Sequence, residues 1–118
     1  MAEPTNDISL FAYGTLQLGA VQRSAFGRLL DGTPDALPGY TLAPLVIDDP
    51  AVVEISGLAV HQMACATGNP MDRIVGVVFA ICADELAAAD AYEVDAMTRI
   101  EVRLASGRTA FVYIGTVA

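Results

Sequence analysis

Two acidic residues three positions apart, Asp90 and Glu93, are the groups of this chain best placed to move protons. A helix is predicted over Asp84 to Val94, alanine-rich, with Asp84 and Glu85 in a first turn where negative charge favours the helix dipole. On it Leu86, Asp90 and Glu93 fall at i, i+4 and i+7, so two carboxylates share a face with the large aliphatic residue of the helix middle. A carboxylate facing an apolar cavity has its pKa raised toward neutrality, which suits it to general acid–base work. The alternative is a helix whose alanines leave its faces poorly distinguished and whose last residue, Glu93, frays into solvent. The local sequence leaves both open.

A second feature could hold a substrate. In Phe11-Ala-Tyr13-Gly14-Thr15-Leu16-Gln17 a run of β-forming residues breaks at one glycine, and a helix-compatible segment follows. Gly14 can adopt backbone angles that other residues resist, and it lets a ligand approach the main chain, so the amides of Gly14, Thr15 and Leu16 could converge on an anion or a carbonyl oxygen. Gly14 and Gly19 have the spacing of a phosphate-binding loop, but Ala20 and Val21 stand where lysine and a hydroxyl residue are needed. Gly14-Thr15-Leu16 is not the G-x-G of a dinucleotide fingerprint either. Taken alone, Gly14 also fits an ordinary turn after an edge strand.

Other chemistries are excluded by what is missing. All basic residues are arginines, so Schiff-base chemistry and a lysine base are ruled out. One histidine, His61, and two cysteines, Cys65 and Cys82, give no metal-site spacing, no disulfide framework and no local support for a catalytic triad. Both cysteines lie in apolar surroundings typical of inert thiols. Six basic against fourteen acidic residues give a net charge of −8, which disfavours nucleic acid and anionic membrane surfaces as partners. No apolar run approaches the ~20 residues of a membrane span, and the N-terminus lacks signal-peptide character, so a cytoplasmic protein without cofactor or metal is expected.

The elements that must position these residues belong to one expected domain over residues 1–118, with residues 1–6 a flexible lead; the 54% hydrophobic content suffices for a core. It should fold alone or as a small oligomer, a homodimer being the simplest. Strands are expected at Ile8 to Tyr13, Tyr40 to Ile47 (with Pro44 marking an edge or bulge), and as one or two short strands around Gly57 within Val52 to Thr67. Arg73 to Ile81 is the most apolar strand, expected to be central and buried on both faces. Met97 to Ala105 and Thr109 to Val117 make a hairpin about Ser106-Gly107-Arg108. Gly19 to Phe26 is a short helix, Asp31 to Gly39 a turn-rich surface crossing, and Asp48-Asp49-Pro50 a turn. About six strands and two short helices, not regularly interleaved, argue for α+β with a curled, mostly antiparallel sheet, closed as a small β-barrel.

At these residues a family resemblance enters. Tyr13-Gly14-Thr15-Leu16, Leu37-Pro-Gly-Tyr40, the Ile74 to Ile81 strand, Asp90-Ala-Tyr-Glu93 and Arg99-Ile-Glu-Val102, in this order over nearly the whole chain, closely resemble the γ-glutamylcyclotransferase-like family. The resemblance implies a small β-barrel with flanking helices. It implies that Tyr13, Gly14, Thr15 and Leu16 bind the α-carboxylate of a γ-glutamyl substrate, that Glu93 is the acid/base, and that Asp90 and Arg99 support the site. The implied reaction closes 5-oxoproline by attack of the substrate's own α-amine on its γ-carbonyl, which asks for no enzyme nucleophile. Where the family often has glycine after the glutamate and tyrosine two before the arginine, this chain has Val94 and Met97. Those departures motivate the rival expectation, a non-catalytic small-metabolite-binding or interaction module of the same fold. Against it, a carboxylate receptor gains nothing from a second negative charge in its pocket.

Overall fold

The computed structural model describes residues 6–46, 49–57, 60–93 and 97–115, with the backbone alone at 45–46 and 60–61. The expectations for the lead at 1–5, for Ile47, Asp48 and Val94, for the end of the last strand beyond 115 and for the His61 side chain lie outside the described residues.

In chain order the elements are β1 (Ile8–Ala12), a 3-10 turn (Thr15–Gln17), α1 (Gly19–Phe26), β2 (Gly32–Pro38), β3 (Tyr40–Val46), α2 (Pro50–Ser56), β4 (Val60–Ala66), β5 (Arg73–Ile81), α3 (Ala83–Tyr92), β6 (Met97–Arg103) and β7 (Thr109–Gly115). The fold is α+β, and most strand pairings are antiparallel. Among the described residues it has seven strands and three α-helices, against about six and two expected. Two stretches account for the difference.

The turn-rich segment 31–39 is a strand, β2, paired with β5 from Gly32↔Phe79 to Pro38↔Arg73. It lies at the end of the sheet, where the missing N–H groups of Pro34 and Pro38 can be tolerated on the outer edge. The first half of the stretch expected to be strand around Gly57 is α2. Asp49 caps it by accepting from the Ala51 amide at 2.9 Å, Pro50 opens it, and Gly57 at φ 73 ends it. Cap, proline and glycine together outweigh the β propensity of Val52 and Val53.

The sheet runs β2-β5-β1-β7-β4-β3, with β6 also on β7. Its end strands β2 and β3 do not pair with each other, so it curls without closing into a hydrogen-bonded barrel. Pro44 lies on β3, an edge strand as expected. β5 lies inside the sheet between β2 and β1, but its burial on both faces is confined to Val78, Phe79 and Ile81 near its end; earlier, Ile74 is buried and Val75 is 76% exposed. Gly76 is required there, since a Cβ would come within 2.4 Å of the Ala12 carbonyl oxygen and 2.7 Å of the Phe11 ring.

β7 has β6 along one side, from Met97↔Gly115 to Arg103↔Thr109. Its other side is shared by two parallel strands, β1 at Leu10↔Phe111 and β4 at Ala64↔Ile114. The sheet therefore splits where β1 ends and β4 takes over, and the chain leaving β1 at Tyr13 emerges into that split. Both faces of β1 are buried: Leu10 and Ala12 pack toward α1 and α3 with Leu16, Val21, Ala89 and Tyr113, and Phe11 packs on the opposite face with Leu37, Ala64, Val78 and Val112. Truncating Leu10 or Phe11 to alanine would cost about 2–5 kcal/mol. The end of the strand that delivers the loop is thus firmly embedded.

Candidate functional site

The loop after β1 is a 3-10 turn, closed by Gln17 N–H donating to the Gly14 carbonyl at 3.1 Å and Leu18 N–H to that of Thr15 at 2.9 Å. Leu16 is buried in the core and its carbonyl accepts from the buried side chain of Gln22 at 2.9 Å, which pins the turn to α1. Opening a turn as they do, the amides of Gly14, Thr15 and Leu16 have no acceptor within it. Gly14 has φ −122, so its backbone does not demand glycine, and a Cβ there would meet nothing nearer than the Gln62 carbonyl oxygen at 3.8 Å. The expected special backbone angles are absent, and what the glycine leaves is open space above the main chain.

That space is a small pocket open to solvent, lined by Phe11 to Leu16, by Gln62 of β4, Tyr113 of β7 and Met97 of β6, and by Glu93. Glu93 caps the C-terminal end of α3 with φ −69 and ψ 144, so the helix stops at Tyr92 and the chain turns extended. The i, i+4, i+7 face with Leu86 and Asp90 therefore does not reach Glu93. Its carboxyl is aimed by the helix terminus instead, where backbone direction changes and helical periodicity no longer applies.

Burial in this pocket pushes the Glu93 carboxyl up to about 7. No hydrogen bond or ion pair joins it to the described residues. Three phenols surround it, close enough that its charge opposes their ionisation, and each is committed elsewhere. Tyr13 donates to the Tyr113 carbonyl at 2.6 Å and accepts from the Ala64 amide at 2.8 Å, clasping β7 to β4 at the split in the sheet. Tyr92 shares a 2.7 Å hydrogen bond with the Thr15 hydroxyl. Tyr113 donates to Asp90 at 2.6 Å. Burial is the largest cause raising all three phenols, so they stay protonated and their bonds persist at neutral pH. An unpaired carboxyl titrating near neutrality can take up a proton and give it back, as a general acid–base requires.

The structure thus brings Tyr13, Gly14, Thr15, Leu16 and Glu93 to one cavity, although Tyr13 contributes its ring and backbone while its hydroxyl is occupied. Asp90 and Arg99 do not line it. Asp90 accepts from Tyr113 and pairs with Arg99 Nε at 3.0 Å, and the Arg99 guanidinium lies 4.9 Å from the centre of the Phe111 ring. They brace the wall from behind. Gln62 and Tyr113 line the site without having been singled out by sequence; nothing in their local pattern marks them, because they arrive from two strands, while Met97, the departure from the family pattern, lines it as well. Cys82 is buried away from the pocket, and among the described residues no group of three or more His, Cys, Asp or Glu could hold a metal ion.

The model of the gamma-glutamyl cyclotransferase, AIG2-like family matches residues 10–117. The chain belongs to this family. Its fold is similar to a solution structure from Arabidopsis thaliana (TM-score 0.71, 18% identity, 98% of this chain and 66% of that one). It is likewise similar to an uncharacterized protein from Homo sapiens (TM-score 0.69, 18% identity, 93% and 67%) and to a structure named gamma-glutamyl cyclotransferase (TM-score 0.69, 17% identity, 92% and 66%). The chain spans about two thirds of the length of these structures. No curated protein matches it by sequence. In this member of the family, the match takes in both the loop after β1 and the end of α3. Among the described residues no helix is long and apolar enough to cross a membrane.

Proposed function

We propose that this family member cyclises a γ-glutamyl amine or γ-glutamyl amino acid to 5-oxoproline, releasing the amine, with Glu93 as general base and then general acid. The observation that carries this reading is the Glu93 carboxyl, without a partner among the described residues and pushed up to about 7, in the same pocket as the Gly14 to Leu16 turn.

The substrate's α-carboxylate would sit on the amides of Gly14, Thr15 and Leu16. No arginine lines the pocket, so oriented backbone dipoles supply the attraction. Glu93 takes one proton from the α-ammonium. The free amine attacks the γ-carbonyl carbon, a C–N bond forms, and the carbonyl electrons move to oxygen. As that oxyanion collapses the bond to the leaving nitrogen breaks and Glu93 returns its proton to that nitrogen. The regenerated carboxylate then takes the second proton from the new ring nitrogen and passes it to the departing amine, which leaves as its ammonium. The acid–base role supplies roughly 10²- to 10⁴-fold, and holding amine and carbonyl at attack distance supplies much of the remainder. A metabolite receptor would not benefit from keeping an unpaired carboxyl beside a bound carboxylate, because the repulsion is unrelieved.

The test is 5-oxoproline release from a panel of γ-glutamyl amino acids, dipeptides and amines, by wild type and Glu93→Gln. Release by wild type and its loss in the variant is expected. Binding of γ-glutamyl compounds without release by wild type would overturn the reading.

A further inference from the structure

The turn that would hold the α-carboxylate and the helix end that carries Glu93 are far apart in sequence and meet through Thr15 and Tyr92, 77 positions apart, and one small substrate must touch both sides. Among the described residues, three side chains tie the turn to other elements. Tyr13 ties it to β7 and β4, Gln22 ties the Leu16 carbonyl to α1, and Thr15 ties it to α3 through Tyr92. Among the described residues, the last is the one side-chain hydrogen bond from the turn to the element that carries Glu93. Its geometry is favourable, with Thr15 Oγ1 and the Tyr92 hydroxyl 2.7 Å apart, Thr15 buried, and the Tyr92 ring packed against the core. Tyr92 is also the residue immediately before Glu93, so little backbone freedom separates its ring from the acid–base carboxyl. The Ser56 hydroxyl at the end of α2 bonds the same phenol, so three segments meet there.

We propose that Tyr92 is a positioning residue which, through Thr15, sets the distance between the carboxylate-binding turn and Glu93. The inference rests on the cyclotransferase reading of those two elements. Tyr92 touches no reacting atom; it keeps the turn in the register that the α-carboxylate needs while Glu93 reaches the α-amine.

Tyr92→Phe and Thr15→Val remove the same hydrogen bond from opposite ends with little change of shape. Each is expected to raise KM about tenfold, the equivalent of one lost hydrogen bond, with kcat changed less than about threefold. The double variant should be no worse than the worse single one, because the bond can be lost only once. Thr15→Ser, which keeps the oxygen, should lose far less than Thr15→Val. Backbone 15N relaxation should show the order parameters of residues 14–17 falling from about 0.85 toward 0.6 in both single variants. Additive losses in the double variant, or unchanged KM and unchanged relaxation in both single variants, would overturn the proposal. If wild type releases no 5-oxoproline from any γ-glutamyl compound, the cyclotransferase reading fails separately. The coupling is then judged by relaxation alone, with lowered order parameters upholding it and unaltered ones overturning it.

Discussion

The Tyr113 hydroxyl donates a 2.6 Å hydrogen bond to Oδ1 of Asp90, the same oxygen that Arg99 Nε meets at 3.0 Å. One partly exposed carboxylate oxygen thus holds a pocket-lining ring on β7 and a guanidinium on β6. The arrangement gives Asp90 a bracing role distinct from that of Glu93.

Asp90→Ala should accordingly lower kcat/KM by about tenfold, through a loosened Tyr113, and leave the melting temperature within about 4 °C of wild type. Asp90→Asn, which retains an acceptor, should lose less. Side-by-side kinetics with Glu93→Gln check this, and losses equal to those of Glu93→Gln would refute a bracing role.

Glu93 should weaken the fold at neutral and alkaline pH. Its carboxyl is raised from 4.5 to about 7 by burial, so as pH rises from about 4.5 to 7 the unfolded chain ionises first and stability falls. Above about 7 the penalty is complete, with a ceiling on the order of 3 kcal/mol. Glu93→Gln should therefore be inactive yet more stable than wild type at pH 8, with the difference vanishing near pH 4. Denaturant melts at the two pH values measure it.

The same titration should appear in the rate. A base must be ionised to accept a proton, so kcat/KM should rise with pH through a limb near the Glu93 value of about 7. A limb near 4.5, the value of a solvated glutamate, would mean that the proton is moved by a different group.

Gly14→Val separates ligand approach from folding. The glycine has φ −122 and its Cβ position is open to within 3.8 Å, so valine should fold with little loss of stability. Its branched side chain would nevertheless cover the amides, and KM should rise at least about tenfold. Parallel thermal melts and kinetics distinguish the two effects.

Activity should survive EDTA and the double change Cys65→Ala, Cys82→Ala. The attacking nitrogen belongs to the substrate, no metal-binding cluster exists among the described residues, and neither cysteine lines the pocket. Rates assayed before and after chelation decide it.

Much of the scaffold was legible because its signals are local. Apolar β-formers ending at Gly14 announce β1 and its turn, and the apolar run from Arg73 to Ile81 announces β5. The hairpin reads from Ser106-Gly107-Arg108, where Leu104 N–H meets the Arg108 carbonyl at 2.8 Å. Even α2 carried a readable signature in Asp49, Pro50 and Gly57, which the valines between them obscured. By contrast β2, with two prolines and two turn-forming aspartate and glycine positions, is a strand only because β5 offers it a partner.

By itself, then, the sequence determined the residue inventory: no lysine, one histidine, a glycine loop after the first strand, and a glutamate near the end of the last helix, which together leave substrate-assisted chemistry as the economical reading. Tertiary structure alone decided how that inventory works. Tyr13 turned out to be a clasp, Asp90 a brace and Glu93 a buried carboxyl among three committed phenols. These roles depend on hydrogen bonds between residues 23 to 100 positions apart. Such distances are set by the split of β1 and β4 over β7 and by where α3 stops, and no local propensity encodes either.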